Sequence, residues 1–242
     1  PSTRFFLEDR ARGRPWLTPL PFPVQVLQKV ETIDHISGNK HVSTYRYHHG
    51  YYDGRERAFM GFGRVDQFDS ETFADFARPD LHGDDSPFGN ASPAHHMPPV
   101  ETRTWYHTGV YFDSLGARRL DYRDLAQRFR QEFYALDTLA PPLPPHMVET
   151  GDAPAEAYRA LRGAPLRSEI YAHDGSERAA HPYQVSETRH RVKQRQPRGG
   201  NAHAVFLVDQ AEGLSYSYER DPADPRITQV LEHPRMAPRL FS

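Results

Sequence analysis

Counted by twos, Tyr45, Tyr47, His49 and Tyr51 fall on one face of an extended segment, and Asp53-Gly54 follows at once. A period of two is the signature of a strand. Asp-Gly is a preferred pair for a type I′ hairpin turn, in which both central residues take positive φ. Residues 24–36 read as a first strand, residues 37–40 as a reversal, residues 41–52 as a second strand and residues 55–69 as a third. Gly61 and Gly63 predict a bulge in that third strand. The result is a three-stranded meander.

Residues 100–112 alternate as cleanly, with Val100, Thr102, Thr104, Tyr106, Thr108, Val110 and Phe112 on one face. The period then changes. Leu125, Phe129, Phe133 and Leu136 are spaced near 3.6 residues and predict a helix over 122–136, which the prolines of 141–145 terminate. A shorter helix is expected over 153–162, opened by Asp152 and Pro154 and stopped at Gly163. Strands resume at 166–172, 183–194, 202–208 and 214–220. Their turns fall at Asp174-Gly175, at Arg198-Gly199-Gly200 and at Glu212-Gly213. Ser70 is a candidate cap for a helix over 71–77, and residues 78–99, rich in Pro, Gly, Asp and His, read as a long loop.

The ends differ from this body. Residues 1–23 are basic and close on prolines 19, 21 and 23, so they read as an extended lead-in without helix. Residues 24–232 form the β-rich body, with a helical insertion at about 121–163, and residues 233–242 read as an irregular or non-native tail. The start at Pro1 suggests a processed product or an excised fragment, and any export signal could lie upstream. Tyr171-Ala-His-Asp-Gly175 echoes Tyr52-Asp-Gly54, the same strand-and-turn chemistry in the other half.

Composition supports this reading. The chain has 242 residues, enough for one substantial core or two small ones, and 22 are proline. Tyrosine and phenylalanine together (13 + 14) reach 27. Many aromatics with a mean hydropathy of −0.78 suit strands that are wet on one face. The net charge of −2 argues against nucleic acid or an anionic membrane as partner. No stretch is long and apolar enough to span a bilayer as a helix. With no cysteine, disulfides and thiolate metal sites are excluded.

Candidate chemistry is sparse. The 14 histidines include the pairs His48-His49 and His95-His96. Neighbours on a strand point to opposite faces, so the first pair is a poor chelator, and the second lies in the long loop. The expected role of these histidines is exposed or stacking, with pH sensing as an open alternative. Gly61-Phe-Gly63 lacks the third glycine of a dinucleotide fingerprint, and neither a P-loop nor a Gly-x-Ser-x-Gly elbow occurs. Arg198-Gly199-Gly200 reads as a turn rather than an anion cradle. Arg189, Arg191, Lys193 and Arg195 share one strand face and read as a solvated or protected edge, with polysaccharide or nucleic acid as the alternative. Asp221-Pro-Ala-Asp-Pro-Arg226 reads as a rigid acidic turn.

Several motifs carry a resemblance. They are Phe22-Pro-Val-Gln-Val26, Ile33-Asp-His-Ile-Ser-Gly-Asn39, Tyr45 to Arg57 with Gly61-Phe-Gly63, and Thr104-Trp-Tyr-His-Thr-Gly109. Arg167-Ser-Glu-Ile-Tyr-Ala172 with Asp174-Gly175, Gln196-Pro-Arg-Gly-Gly-Asn201 and the stretch 216–226 add to them. Together they resemble the middle to C-terminal region of bacterial insecticidal toxin-complex B components, a region shared by SpvB-like and Rhs/YD-repeat proteins. Residues from His233 on do not share the likeness.

The resemblance implies a mainly β fold of antiparallel sheets and meanders with a few short helices, part of a shell of strands. It implies a non-catalytic segment of a secreted or cell-surface toxin. In that family the B component joins a C component to enclose a toxic polypeptide, and a propeller docks the shell onto a pore-forming A component. No cofactor, metal, nucleic acid or direct membrane insertion is implied. The ADP-ribosyltransferase activity of some relatives needs two glutamates two residues apart, a spacing that this chain lacks. The residues expected to carry structure are Tyr45, Tyr47, Tyr51, Asp53, Gly54, Gly61, Gly63, Trp105, Asp174, Gly175, Gly199 and Gly200. A second reading makes Tyr45, Tyr47, Tyr51, Trp105 and Tyr106 an exposed aromatic platform of a carbohydrate- or surface-binding module.

Overall fold

A computed structural model of the chain describes residues 1–33, 40–70, 98–113, 120–134 and 146–232. Helix α1 (Thr3–Ala11) precedes strands β1 (Lys29–Ile33), β2 (Lys40–Asp53), β3 (Ala58–Ser70) and β4 (Val100–Tyr106). The short strands β5 (Phe112–Asp113) and β6 (Leu120–Asp121) pair with each other. Helix α2 (Tyr122–Phe129) then runs into a 3₁₀ turn, Arg130–Glu132. Strand β7 (Met147–Val148) and helix α3 (Pro154–Arg159) lead to β8 (Pro165–Ala172), β9 (Gln184–Gln196), β10 (Val205–Ser217) and β11 (Arg226–Leu231).

All strands except β5 and β6 join one nine-stranded sheet in the order β1-β2-β3-β4-β8-β9-β10-β11. Strand β7 adds in parallel beside the far half of β9. The other pairings are antiparallel, so the expected mainly β architecture is what forms.

Opposed residues of antiparallel strands point to the same side of a sheet. The register therefore lays out rows. On one face Arg46, Asp66, Arg103, Glu169, Val185 and Tyr216 succeed one another from β2 to β10. Beside that row run His48, Arg64, Trp105, Arg167, Glu187 and Leu214. The opposite face carries Val65, Thr104, Ser168, Ser186, Ser215 and Thr228, mostly small hydroxyl side chains.

Helix α2 covers the charged face. Leu125 and Phe129, four residues apart on the helix, join Tyr51, Met60, Trp105 and Val110 in a buried cluster. A second cluster holds Val185, Leu214, Tyr216 and Tyr218, and a third packs Ala157 and Leu161 onto Val192. Gly63 lets α2 approach, since a Cβ there would lie 2.6 Å from Phe129 Cζ.

Several local expectations are corrected. The lead-in is not all extended: α1 forms because Arg4 and Glu8 pair at i,i+4 and Phe5 is buried beside Tyr47. The first strand is shorter, beginning at Lys29. Asp53-Gly54 is no two-residue turn. The loop spans four residues, 54–57, Gly54 is not left-handed, and Arg57 takes the positive φ (+53°). Asp53 still shapes it, accepting from the amides of Arg55 and Glu56 at 2.9 and 3.3 Å.

The bulge is present. Tyr51 faces Gly61 and Tyr52 faces Phe59, which leaves Met60 as the extra residue, and Gly61 takes φ +105°. Strand 100–112 breaks after Tyr106, where Gly109 turns at φ +77°. Helix 122–136 gives way to the 3₁₀ turn after Phe129. Glu212-Gly213 is no turn: it lies inside β10, with the register shift at Ala211, and β11 was not expected from sequence. The proposed helix 71–77, His95-His96, Leu136 and the tail 233–242 lie outside the described residues.

Candidate functional site

The charged rows arise from a pattern in single strands. Arg64 and Asp66 on β3, Glu101 and Arg103 on β4, and Arg167 and Glu169 on β8 are opposite charges two residues apart, and so share a face. Each pair closes on itself. Arg64 donates through Nε and Nη2 to Asp66 at 2.6 and 2.8 Å, and Arg103 to Glu101 at 2.8 and 2.9 Å. Arg167 donates to Glu169 at 2.6 Å and across to Glu187 at 2.6 Å. Such fork-shaped, charge-assisted contacts are the stronger hydrogen bonds of proteins.

Further contacts tie these pairs to the elements above them. Glu132, at the end of the 3₁₀ turn, accepts from His49 Nε2 at 2.8 Å, Arg64 Nη1 at 3.2 Å and Trp105 Nε1 at 3.2 Å. Burial pushes its carboxyl up, but the His49 hydrogen bond and the Arg64 charge prevail and hold it at about 2. Glu169, wholly buried, also accepts from Tyr134 N at 2.9 Å and Tyr171 Oη at 2.7 Å. Arg64 lies over Trp105 and Arg167 over Phe133, with 5.1 and 4.7 Å to the ring centroids.

His48 bridges helix and sheet. Its Nδ1 donates to Asp9 of α1 at 2.6 Å and its Nε2 to Asp66 at 3.0 Å. Burial alone would lower the histidine, but the two carboxylates raise it and favour the imidazolium. Asp66 in turn resists burial and is held at about 2 by His48 and Arg64. His49 breaks the strand alternation with φ +56° and accepts from Leu17 N at 3.1 Å through Nδ1, so Nε2 carries the proton donated to Glu132. Both histidines are buried, against the expectation of exposed rings, and the ring of His49 lies 5.4 Å from that of Phe129. These groups floor a cleft of about 580 Å³ between α1, α2 and the sheet.

A second set of histidines sits on the other flank of β9. The rings of His107 and His146 meet at a tilt and those of His146 and His190 edge to face, with centroids 5.9 and 5.4 Å apart, and His190 N donates to His146 Nδ1 at 3.1 Å. Burial, then His190 and Arg189, push His146 down to about 4. Burial, then His146 and His190, push His107 well below the usual histidine value. Among the described residues no group of three or more His, Asp or Glu side chains could hold a metal ion.

The residues expected to carry structure are placed as follows. Tyr51 and Trp105 are buried, Tyr47 is half-buried against Phe5 and Phe62, and Tyr45 is half-buried on the same strand. No exposed platform results, because the ring of Trp105 is fully covered (0% exposed). Asp174 accepts from Ser176 N at 3.1 Å, Gly175 turns at φ +72°, and Arg220 clamps Asp174 at 2.7 and 3.0 Å. Gly199 turns at φ +49° in the β9–β10 loop and Gly200 faces open space. Arg189 and Arg191 are not a solvated basic face: they pair with Glu212 and Asp209 of β10. The opposite charges at i,i+2 were the signal in the sequence that could have revealed the buried network.

Comparison with known proteins agrees with this construction. Two family descriptions match: the middle/N-terminal region of the insecticide toxin TcdB over residues 1–77, and its middle/C-terminal region over residues 156–233. No curated protein matches the chain. Among solved structures, the TcdB2–TccC3 complex is 29% identical with a TM-score of 0.72. The same complex without its hypervariable C-terminal region is 31% identical, with a TM-score of 0.72. A Photorhabdus luminescens Tc holotoxin pore is 31% identical, with a TM-score of 0.74. Each match covers 94% of this chain and 10% of the matched chain.

An open sheet tied internally by ion pairs, with a fold similar to parts of multichain toxins, defines a structural part of a toxin complex. The chain belongs to the TcdB insecticide-toxin family and corresponds to the middle region of its B component.

Proposed function

We propose that the chain is a non-catalytic wall segment of the hollow shell in which a toxin-complex B component, joined to a C component, encloses and delivers a toxic polypeptide. The observation that carries this is the state of the sheet edge. Ile227 and Leu231 of β11 lie on the same face as buried Tyr216 and Glu212, yet are 51% and 64% exposed. The covered face therefore runs on past what this chain covers, and β11 and β1 both end the sheet without a partner strand among the described residues. Bare edges carrying apolar side chains are sites for further strands.

Buried charges are spent on one another rather than converging on a reactive group, which supports a scaffold role. Association with the C component and the pore-forming component, and a site of action outside the producing cell, follow from the same reading. No helix among the described residues is long and apolar enough to cross a membrane.

The test is assembly. In the intact B component, Ile227→Asp combined with Leu231→Asp is expected to abolish co-purification with the C component and expose the enclosed polypeptide to protease. Unchanged assembly and protection would overturn the wall reading. The aromatic-platform alternative has no observation in its favour once Tyr51 and Trp105 are buried.

A further inference from the structure

The cleft between α1, α2 and the sheet has an unequal charge balance. Its lining holds four carboxylates, those of Asp9, Asp66, Glu101 and Glu132. Each is already engaged from inside the fold. Asp9 and Asp66 share His48, Asp66 and Glu132 share Arg64, and Glu101 takes Arg103 together with His173 Nε2 at 2.7 Å. Arg46, also in the lining, is taken by Glu8 at 2.6 Å.

Three arginines remain: Arg12 and Arg14, just past the end of α1, and Arg128 in the last turn of α2. All three are exposed, and among the described residues none makes a side-chain hydrogen bond or ion pair. A cleft whose own acids are neutralised and whose mouth carries three unspent guanidinium groups presents a positive potential to whatever enters it. A guanidinium is suited to planar carboxylates.

The three do not form a phosphate cradle. They come from two separate elements rather than from one loop that could wrap a compact anion. Spaced single charges above a floor that includes Leu17 and Phe68 suit a chain with carboxylates at intervals. Resting on the wall reading above, we propose that this cleft receives an acidic segment of a neighbouring polypeptide in the assembled toxin, its Asp or Glu side chains meeting Arg12, Arg14 and Arg128.

The probe is a hexaglutamate peptide, titrated by fluorescence anisotropy against the intact B component, with hexaglutamine and inorganic phosphate as parallel arms. Exposed ion pairs are individually weak, so the triple variant Arg12→Gln, Arg14→Gln, Arg128→Gln is expected to weaken hexaglutamate binding about tenfold. The equally charged change Lys193→Gln, Arg195→Gln, Arg226→Gln, on β9 and β11, is expected to leave it within about twofold. Replacing the three arginines by lysine should retain most of the binding. Equal losses in both glutamine variants, no binding at all, or phosphate binding with hexaglutamate inert would each overturn the proposal. Failure here leaves co-purification with the C component untouched, so it is distinguishable from failure of the wall reading.

Discussion

Acidification should loosen the flank of the sheet where β7 and α3 rest on β9. The perturbation is protonation of His146 and His107, whose rings lie against one another and beside His190, with Tyr158 of α3 and Arg189 alongside. A buried histidine whose folded value lies below its unfolded one takes its proton first in the open state. Its contribution to stability is therefore lost as pH falls from about 6.5 toward about 4.

The magnitude follows from His146 alone. At about 1.4 kcal/mol per unit, a fall from 6.5 to about 4 caps the loss at about 3 kcal/mol, and about 2 kcal/mol of it has occurred by about pH 5. That is roughly a 30-fold rise in the open population. Asp66 and Glu132, held at about 2, lose their contribution as pH falls from about 5, so they change little between about pH 7 and pH 5. His48 shifts the opposite way: its stabilisation is complete below the unfolded histidine value and fades at higher pH.

Hydrogen exchange on the intact B component reads the effect at Glu149 N, which donates to Val192 O at 2.9 Å. His146→Asn keeps an acceptor near the position of Nδ1 for His190 N and removes the titration. The opening free energy at Glu149 should fall by about 2 kcal/mol between about pH 7 and pH 5 in the natural protein, and by much less in the variant. An identical fall in both would refute the reasoning.

Three further outcomes are expected. Trp105→Ala removes the largest fully buried side chain and should cost about 3–5 kcal/mol, read as lowered thermal stability of the B component. Glu132→Gln leaves Arg64 short of a charged partner; it should cost about 3 kcal/mol at neutral pH and nothing at a pH below about 2, where the natural carboxyl is also neutral. Gly63→Ala should cost about 1–3 kcal/mol by driving a methyl into Phe129, and Phe129→Leu in the same chain should restore part of the loss.

Strand identity was legible wherever one face of a strand is buried. The alternation of 41–52, 55–69 and 100–106 needs nothing beyond its neighbours, and Asp174-Gly175 and Arg198-Gly199-Gly200 carry their turn chemistry locally. The failures came where a distant partner decides. Helix α1 has modest local support and forms against β2, through Phe5 on Tyr47 and Asp9 on His48. Residues Glu212-Gly213 look like a turn in isolation, but they pair with β9 on one side and β11 on the other.

The sequence by itself determined that this is a strand-rich protein of the toxin-complex B family, because period-two patterning, turn residues and family motifs are local in the chain. It also held the opposite charges at i,i+2 that mark the ion pairs of β3, β4 and β8. Only the tertiary structure decided that those charges lie buried together on one face while small hydroxyls line the other. The reason is physical: strand register brings Asp66, Arg103 and Glu169 into a single row across three strands, and register is set by pairings between segments far apart in the chain. It likewise decided which arginines remain unspent at the mouth of the cleft, since that depends on every other charge finding its partner first.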